Sequence, residues 1–171
     1  MRIMLPVSLT IALFLAGSVR DAAPPSAPAP IKADAAQIHA AIGKPGASAV
    51  LVNVWATWCA PCREEFPDLM HVAREFSGQG LRTVLVSTDF EGEEDGARRF
   101  LSEHGVDFDT YIKTGKDEEF VNGLSADWSG ALPATFVYDA QGRLVRFWEG
   151  KASYPIMKKR VQEALARKEK P

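Results

Sequence analysis

Cys59 and Cys62 lie two residues apart in the stretch TWCAPCREEFP at 57–67, and they are the only cysteines among 171 residues. Thiols at this spacing support three chemistries: a structural disulfide, half of a metal site, or a redox couple. A staple is the poorest reading, because a bridge across two residues closes so small a loop that it removes little entropy from the unfolded chain. A structural zinc needs about four ligands, and the other candidates are the isolated His39, His71 and His104 together with carboxylates. Copper is harder to dismiss, since soft thiolates bind Cu(I) well. A copper-binding module therefore stands as the alternative to redox exchange.

The redox reading accounts for more of the surrounding residues. The segment 49–56, AVLVNVWA, is nearly continuous apolar sequence, the pattern of a strand buried on both faces. From Cys59 to Phe76 the residues Cys62, Phe66, Leu69, Ala73 and Phe76 recur at helical spacing. A strand thus delivers the chain to Trp58–Cys59 and a helix starts at the cysteines. The first sulfur then faces unpaired backbone N–H groups and the positive end of the helix dipole, which lowers a thiol pKa from about 8.5 to roughly 7 in reductant-type sites. Cys59 is accordingly the attacking thiolate. Cys62, one turn further in, is the resolving thiol, and Pro61 is tolerated because the first turn has no donor to lose. Ala60 and Pro61 place no cation between the sulfurs, so the couple should be reducing. Glu64 and Glu65 push the same way and Arg63 opposes them.

Along the rest of the chain the pattern predicts helices over 34–42, 93–105, 116–124 and 153–167, and strands over 81–87, 108–112, 134–139 and 142–150. The last two strands flank the turn residues of DAQG and form a hairpin. Strands alternating with helices, then a hairpin and a final helix, give one α/β domain with a mixed sheet and helices on both faces, starting near Asp34. The segment 89–130 elaborates that domain. Its acidic stretch, Asp89, Glu91, Glu93, Glu94 and Asp95, reads as a helix start and solvated loop rather than a metal site.

Ahead of the domain, residues 1–23 carry Arg2, an apolar run from Ile3 to Val19 and small residues at Ala16, Gly17 and Ser18, the pattern of a secretory signal or a membrane anchor near the short limit for spanning. Residues 24–33 are a Pro/Ala-rich linker. The folded part, 34–171, is therefore expected outside the cytoplasm. A net charge of −2 gives no reason to expect nucleic acid. The basic run Lys158, Lys159, Arg160, Arg167, Lys168 and Lys170 reads as a solvated helix face. No flavin or nicotinamide motif is present, no surface feature argues for oligomerisation, and a monomer is expected.

The segment VNVWATWCAPCREEFPDL resembles the active-site segment of the thioredoxin superfamily, in its TlpA/ResA-like branch of extracytoplasmic thiol–disulfide reductases. Pro67, eight residues after Cys59, matches the proline inside the active-site helix of that family. GALPATFVYDAQGRLV resembles its cis-proline strand and hairpin, and the two matches together span 49–150. The resemblance implies a thioredoxin-like fold, a cis Leu132–Pro133 peptide facing the cysteines, and substrate binding by Trp58, Pro61, Leu132 and Pro133, with the Leu132 backbone pairing a substrate strand. Trp55 and Trp58 correspond to the family's two active-site tryptophans. It also implies disulfide-containing extracytoplasmic proteins as substrates, a membrane thiol-transfer protein as electron donor, and roles such as cytochrome c maturation, copper-site assembly or disulfide repair.

One position departs from the wider superfamily. Asn53 stands where cytoplasmic thioredoxins keep a buried Asp, and an amide does not take the proton of the resolving thiol. Glu65 matches the acid implicated in the ResA-like branch, three residues from Cys62 on the same helical face. Its alternative is a solvated first-turn carboxylate held by the helix dipole. Two further chemistries stay open: a disulfide oxidase or isomerase, since CxxC specifies exchange more firmly than direction, and a peroxidase, against which the absence of proline in VNVWATW argues.

Overall fold

The computed structural model describes residues 27–167; the signal or anchor expected at 1–23, and Lys168 and Lys170, lie outside that range. In chain order the elements are β1 (Ile31–Ala33), α1 (Ala35–Ile42), β2 (Ala49–Trp55), α2 (Ala60–Ser77), β3 (Leu81–Ser87), α3 (Glu94–Glu103), β4 (Tyr111–Lys113), α4 (Asp117–Leu124), β5 (Ala134–Asp139), β6 (Leu144–Glu149) and α5 (Tyr154–Leu165).

Every residue of β2 is buried, because this strand is central and both of its faces are covered. The sheet order is β1-β4-β3-β2-β5-β6, with β2 parallel to β3 and antiparallel to β5. Side chains alternate across it. Leu51 and Trp55 join the apolar layer built by α2, α3 and α5, while Val50, Val52 and Val54 join the layer built by α1 and α4. This is the expected α/β thioredoxin-like architecture, with a mixed sheet and helices on both faces.

Three details differ from the sequence expectation. Ile31–Ala33, assigned to the linker, forms a parallel edge strand against Tyr111–Lys113, because β4 needs a partner and Ala33 can be buried. Ala27 is buried as well, so the packed chain begins before Asp34. The β4 strand starts three residues later than the pattern suggests, since only Tyr111 and Ile112 reach the end of β3 in register. The basic face of α5 is also not simply solvated: Lys158 reaches Glu75 at 2.6 Å and the Arg160 guanidinium lies over the Trp148 ring at 4.1 Å, within cation–π range.

Asp34 caps α1 in a reciprocal capping box with Gln37. The turn from α2 into β3 depends on Gly80, whose φ is +90°, and a Cβ there would meet Ser48 Oγ at 2.6 Å. Gly80→Ala combines a disfavoured backbone region with a steric clash, and is expected to cost about 1–3 kcal/mol in urea unfolding of the oxidised protein; an unchanged midpoint would show that the turn rearranges freely.

Candidate redox site

The β2–β5 pairing builds the site. Its register sets Val54 against Ala134, so the chain leaving β2 towards Cys59 runs beside the chain entering β5 from Pro133. Two segments some 70 residues apart in sequence thus meet at one end of the sheet, and the Leu132–Pro133 peptide between them is cis. Leu132 packs against the buried cluster that contains both cysteines.

Cys59 and Cys62 are joined as a disulfide. Cys59 is the N-cap of α2: its backbone is extended and its sulfur accepts the Cys62 N–H at 3.2 Å. The sulfur therefore sits where a helix leaves donors unpaired and its dipole is positive. Pro61 occupies the first turn and is exposed. Pro67 lies within the helix, where it removes one donor from the ladder.

Glu65 is not the solvated carboxylate of the alternative reading: it is 2% exposed. Asn53 Nδ2 donates to its Oε1 at 3.0 Å and the Ala152 N–H donates to its Oε2 at 2.9 Å. Asn53 spends its second amide hydrogen on Thr135 Oγ1 at 2.9 Å, its register partner on β5. Burial pushes the Glu65 carboxyl up to about 7, with the two donated hydrogen bonds pulling the other way. One helical turn from Cys62 and on the same buried face, a carboxyl of that kind changes charge near neutrality. It is placed to hold or release a proton inside the site.

The neighbouring Glu64 behaves differently. Exposed, it pairs with Lys151 at 2.6 Å, and that cation holds its carboxyl below the usual range. Glu64 and Glu65 in this way clasp consecutive residues, Lys151 and Ala152, of the segment joining β6 to α5. The charge that Glu64 was expected to set against the thiolate is largely balanced by Lys151.

The tryptophans divide. Trp55 is 1% exposed and packs on Phe66 and Phe100, so it belongs to the core. Trp58 is 53% exposed and stacks on Phe90, with ring centroids 6.0 Å apart. Trp128, to which the sequence assigned no role, donates its Nε1–H to the Ala131 carbonyl at 2.9 Å and so braces the loop that leads into Leu132–Pro133. Trp58, Phe90, Trp128 and Leu132 line a cavity of about 950 Å³ between the redox site and α4.

Asp89 also departs from its expected setting. It is 4% exposed and accepts hydrogen bonds from Thr57 and Ser87, apart from the solvated acids that follow it. Among the described residues no group of three or more His, Cys, Asp or Glu side chains is placed to hold a metal ion. His39 lies against the Gly123 carbonyl and His104 against that of Phe100, while His71 stacks on Tyr154. Asn53, marked in the sequence as an amide at the position of a buried acid, proves to be the hydrogen-bond partner of Glu65; Lys151, Ala152 and Trp128 carry no local sequence signal of a place in the site.

The comparisons agree with this geometry. Residues 22–147 match the AhpC/TSA family. The thiol:disulfide interchange protein HelX of Rhodobacter capsulatus is 33% identical over 117 residues, covering 68% of this chain and 60% of HelX. The thiol-disulfide oxidoreductase ResA of Bacillus subtilis is 32% identical over 102 residues, covering 59% of this chain and 52% of ResA. The chain thus spans between half and two thirds of the length of these relatives. A thioredoxin family protein of Chlorobium tepidum TLS, 24% identical, superposes with a TM-score of 0.61 over 85% of this chain and 99% of that one, which shows the shared fold. By its matched residues the chain belongs to the AhpC/TSA family, and its architecture is thioredoxin-like.

Proposed function

We propose that this chain is an extracytoplasmic thiol–disulfide oxidoreductase that reduces disulfides in other proteins. The observation that carries the reading is the Cys59 sulfur capping α2 beside the buried Cys62–Glu65 turn. In the reduced protein the Cys59 thiolate attacks one sulfur of a substrate disulfide. A mixed disulfide forms, and the substrate's second sulfur leaves as a thiolate and takes a proton. Glu65, ionised, accepts the proton of Cys62, whose sulfur attacks Cys59. The Cys59–Cys62 bond forms and the first substrate sulfur departs as a thiol. Two electrons pass to the substrate, with one proton from solvent and one from Cys62 by way of Glu65, and a membrane thiol-transfer protein restores the dithiol. Trp58, Pro61, Leu132 and Pro133 form the surface on which the substrate lies, with the Leu132 backbone pairing its strand.

HelX is named a thiol:disulfide interchange protein and ResA a thiol-disulfide oxidoreductase, and both names support exchange chemistry here. No helix of the described residues is long and apolar enough to cross a membrane; the secretion signal or tether rests on residues 1–23 alone. Peroxide consumption is the competing chemistry. Against it stands Cys62 within bonding distance of Cys59 and the segment VNVWATW, which lacks the expected proline.

The direction is tested by the reduction potential of the couple, measured by equilibration in thiol–disulfide buffers with tryptophan fluorescence as the readout. The expected value lies near or below thioredoxin's roughly −270 mV. A value nearer roughly −120 mV would reverse the electron flow, and rapid peroxide turnover by the dithiol form would replace the reading altogether.

A further inference from the structure

Beyond the ends of the two central parallel strands, the chain segments that follow β2 and β3 stay zipped together. The Thr88 N–H donates to the Trp55 carbonyl at 2.8 Å. One residue further, Asp89 Oδ1 accepts both the Thr57 N–H at 2.9 Å and the Thr57 hydroxyl at 2.5 Å. Its Oδ2 accepts the Ser87 hydroxyl at 2.6 Å. A carboxylate that is 4% exposed is kept there by three donors, all on residues at the mouth of the sheet. Thr57 and Asp89 are thereby fixed to one another, and the residues directly after them, Trp58 and Phe90, are the two rings that stack. Both rings are large, apolar and exposed, at 53% and 65%.

Cys59 itself is 5% exposed. A partner sulfur that meets it brings the partner's flanking chain over the adjoining surface, and Trp58 is the residue directly before Cys59. The cavity behind the rings continues to Leu132. Of its cations, Lys32 is paired with Glu94 and Lys113 with Asp117, which leaves the rim acidic through Glu91 and Glu118. That combination fits an extended chain with an apolar side chain for the rings and a basic one for the rim.

We propose that Asp89 is a positioning residue: by clasping Thr57 it aligns Trp58 on Phe90 as an aromatic ledge, and the polypeptide flanking a substrate disulfide seats on that ledge beside Cys59. This rests on the reductase reading for its occupant, but the ledge itself is readable without it. Three of the four tryptophans, Trp55, Trp128 and Trp148, are at most 8% exposed, so iodide quenching of the native protein reports on Trp58.

The test uses the wild-type protein, Asp89→Ala, Asp89→Asn and Phe90→Ala. Asp89→Ala is expected to increase iodide quenching, whereas Asp89→Asn, which keeps a carbonyl acceptor towards Thr57, restores the wild-type value. In single turnovers of the reduced proteins with a synthetic Phe-Cys-Lys peptide disulfide, Asp89→Ala and Phe90→Ala are expected to raise the half-saturating concentration about tenfold with the limiting rate kept. Asp89→Asn stays near wild type. A fall in limiting rate with half-saturation unchanged, or no change in either, overturns the proposal. Phe90 is exposed, so Phe90→Ala carries the kinetic arm even where Asp89→Ala does not fold. If the wild type reduces no peptide disulfide, the reductase reading fails. The clasp is then judged by quenching alone, and equal quenching in Asp89→Ala and wild type overturns it.

Discussion

Replacing Cys59 by Ser is expected to slow protein-disulfide reduction by at least about 10³-fold, because the remaining thiol, Cys62, lies inside the first turn of α2 and not at its cap. Cys62→Ser is expected to fail differently. Its Cys59 still attacks, but no thiol resolves the product, so the protein accumulates as a covalent mixed disulfide with its substrate. Exposure hardly separates the two sulfurs, at 5% for Cys59 and 1% for Cys62. What separates them is position: Cys59 caps the helix and receives the Cys62 N–H, so its thiolate is the one that the donors and dipole stabilise. Intact-mass analysis after mixing each reduced variant with a protein disulfide reads the outcome. An adduct on Cys59→Ser with none on Cys62→Ser would invert the assignment and with it the roles drawn from the helix terminus.

Much of this arrangement was legible because the relevant signals were local. The apolar run at 49–55, the helical stripe through Phe66, Leu69 and Phe76, and the punctuating Gly78 and Gly80 each specify an element without reference to distant residues. The hairpin at 134–149 follows for the same reason. What stayed hidden depends on contacts between distant parts of the chain. Ile31–Ala33 carries no strand pattern of its own; it is a strand because β4 offers it an edge. Asp89 sits in a run of acids that share its composition, and only the convergence of Thr57 and Ser87 distinguishes it. Lys151 and Ala152 lie 87 residues from the glutamates they meet. Asn53 marks the boundary between the two cases. Sequence shows a polar residue in a strand with no room for one, and the fold shows its partner to be Glu65. Where a cytoplasmic thioredoxin holds its acid on the strand, this chain places the amide there and the carboxyl on the facing helix.

That exchange leads to the second large effect, at Glu65. Its carboxyl titrates near 7 in the fold against 4.5 in the open chain. Between those values the folded protein keeps a proton that the unfolded chain has released. The contribution of this carboxyl to stability is therefore greatest at and below its unfolded value, declines as the pH rises through the window, and is lower by about 3 kcal/mol once the pH exceeds 7. Glu65→Gln keeps the size of the side chain and one acceptor but cannot ionise, so this decline should vanish in urea titrations of the oxidised protein at pH 5.5 and 8. In the proposed mechanism the same substitution removes the acceptor for the Cys62 proton. The resolving step is expected to slow by about 10²-fold at neutral pH, and the limb of its pH–rate profile near 7 should disappear. Stability and rate thus move in opposite directions at pH 8: the variant loses the burden of a buried charge and with it the base. Loss of rate together with an undiminished pH dependence of stability would mean that the substitution distorts the site rather than neutralising it. A rate and profile matching the wild type would leave Glu65 as the anchor of Ala152 alone.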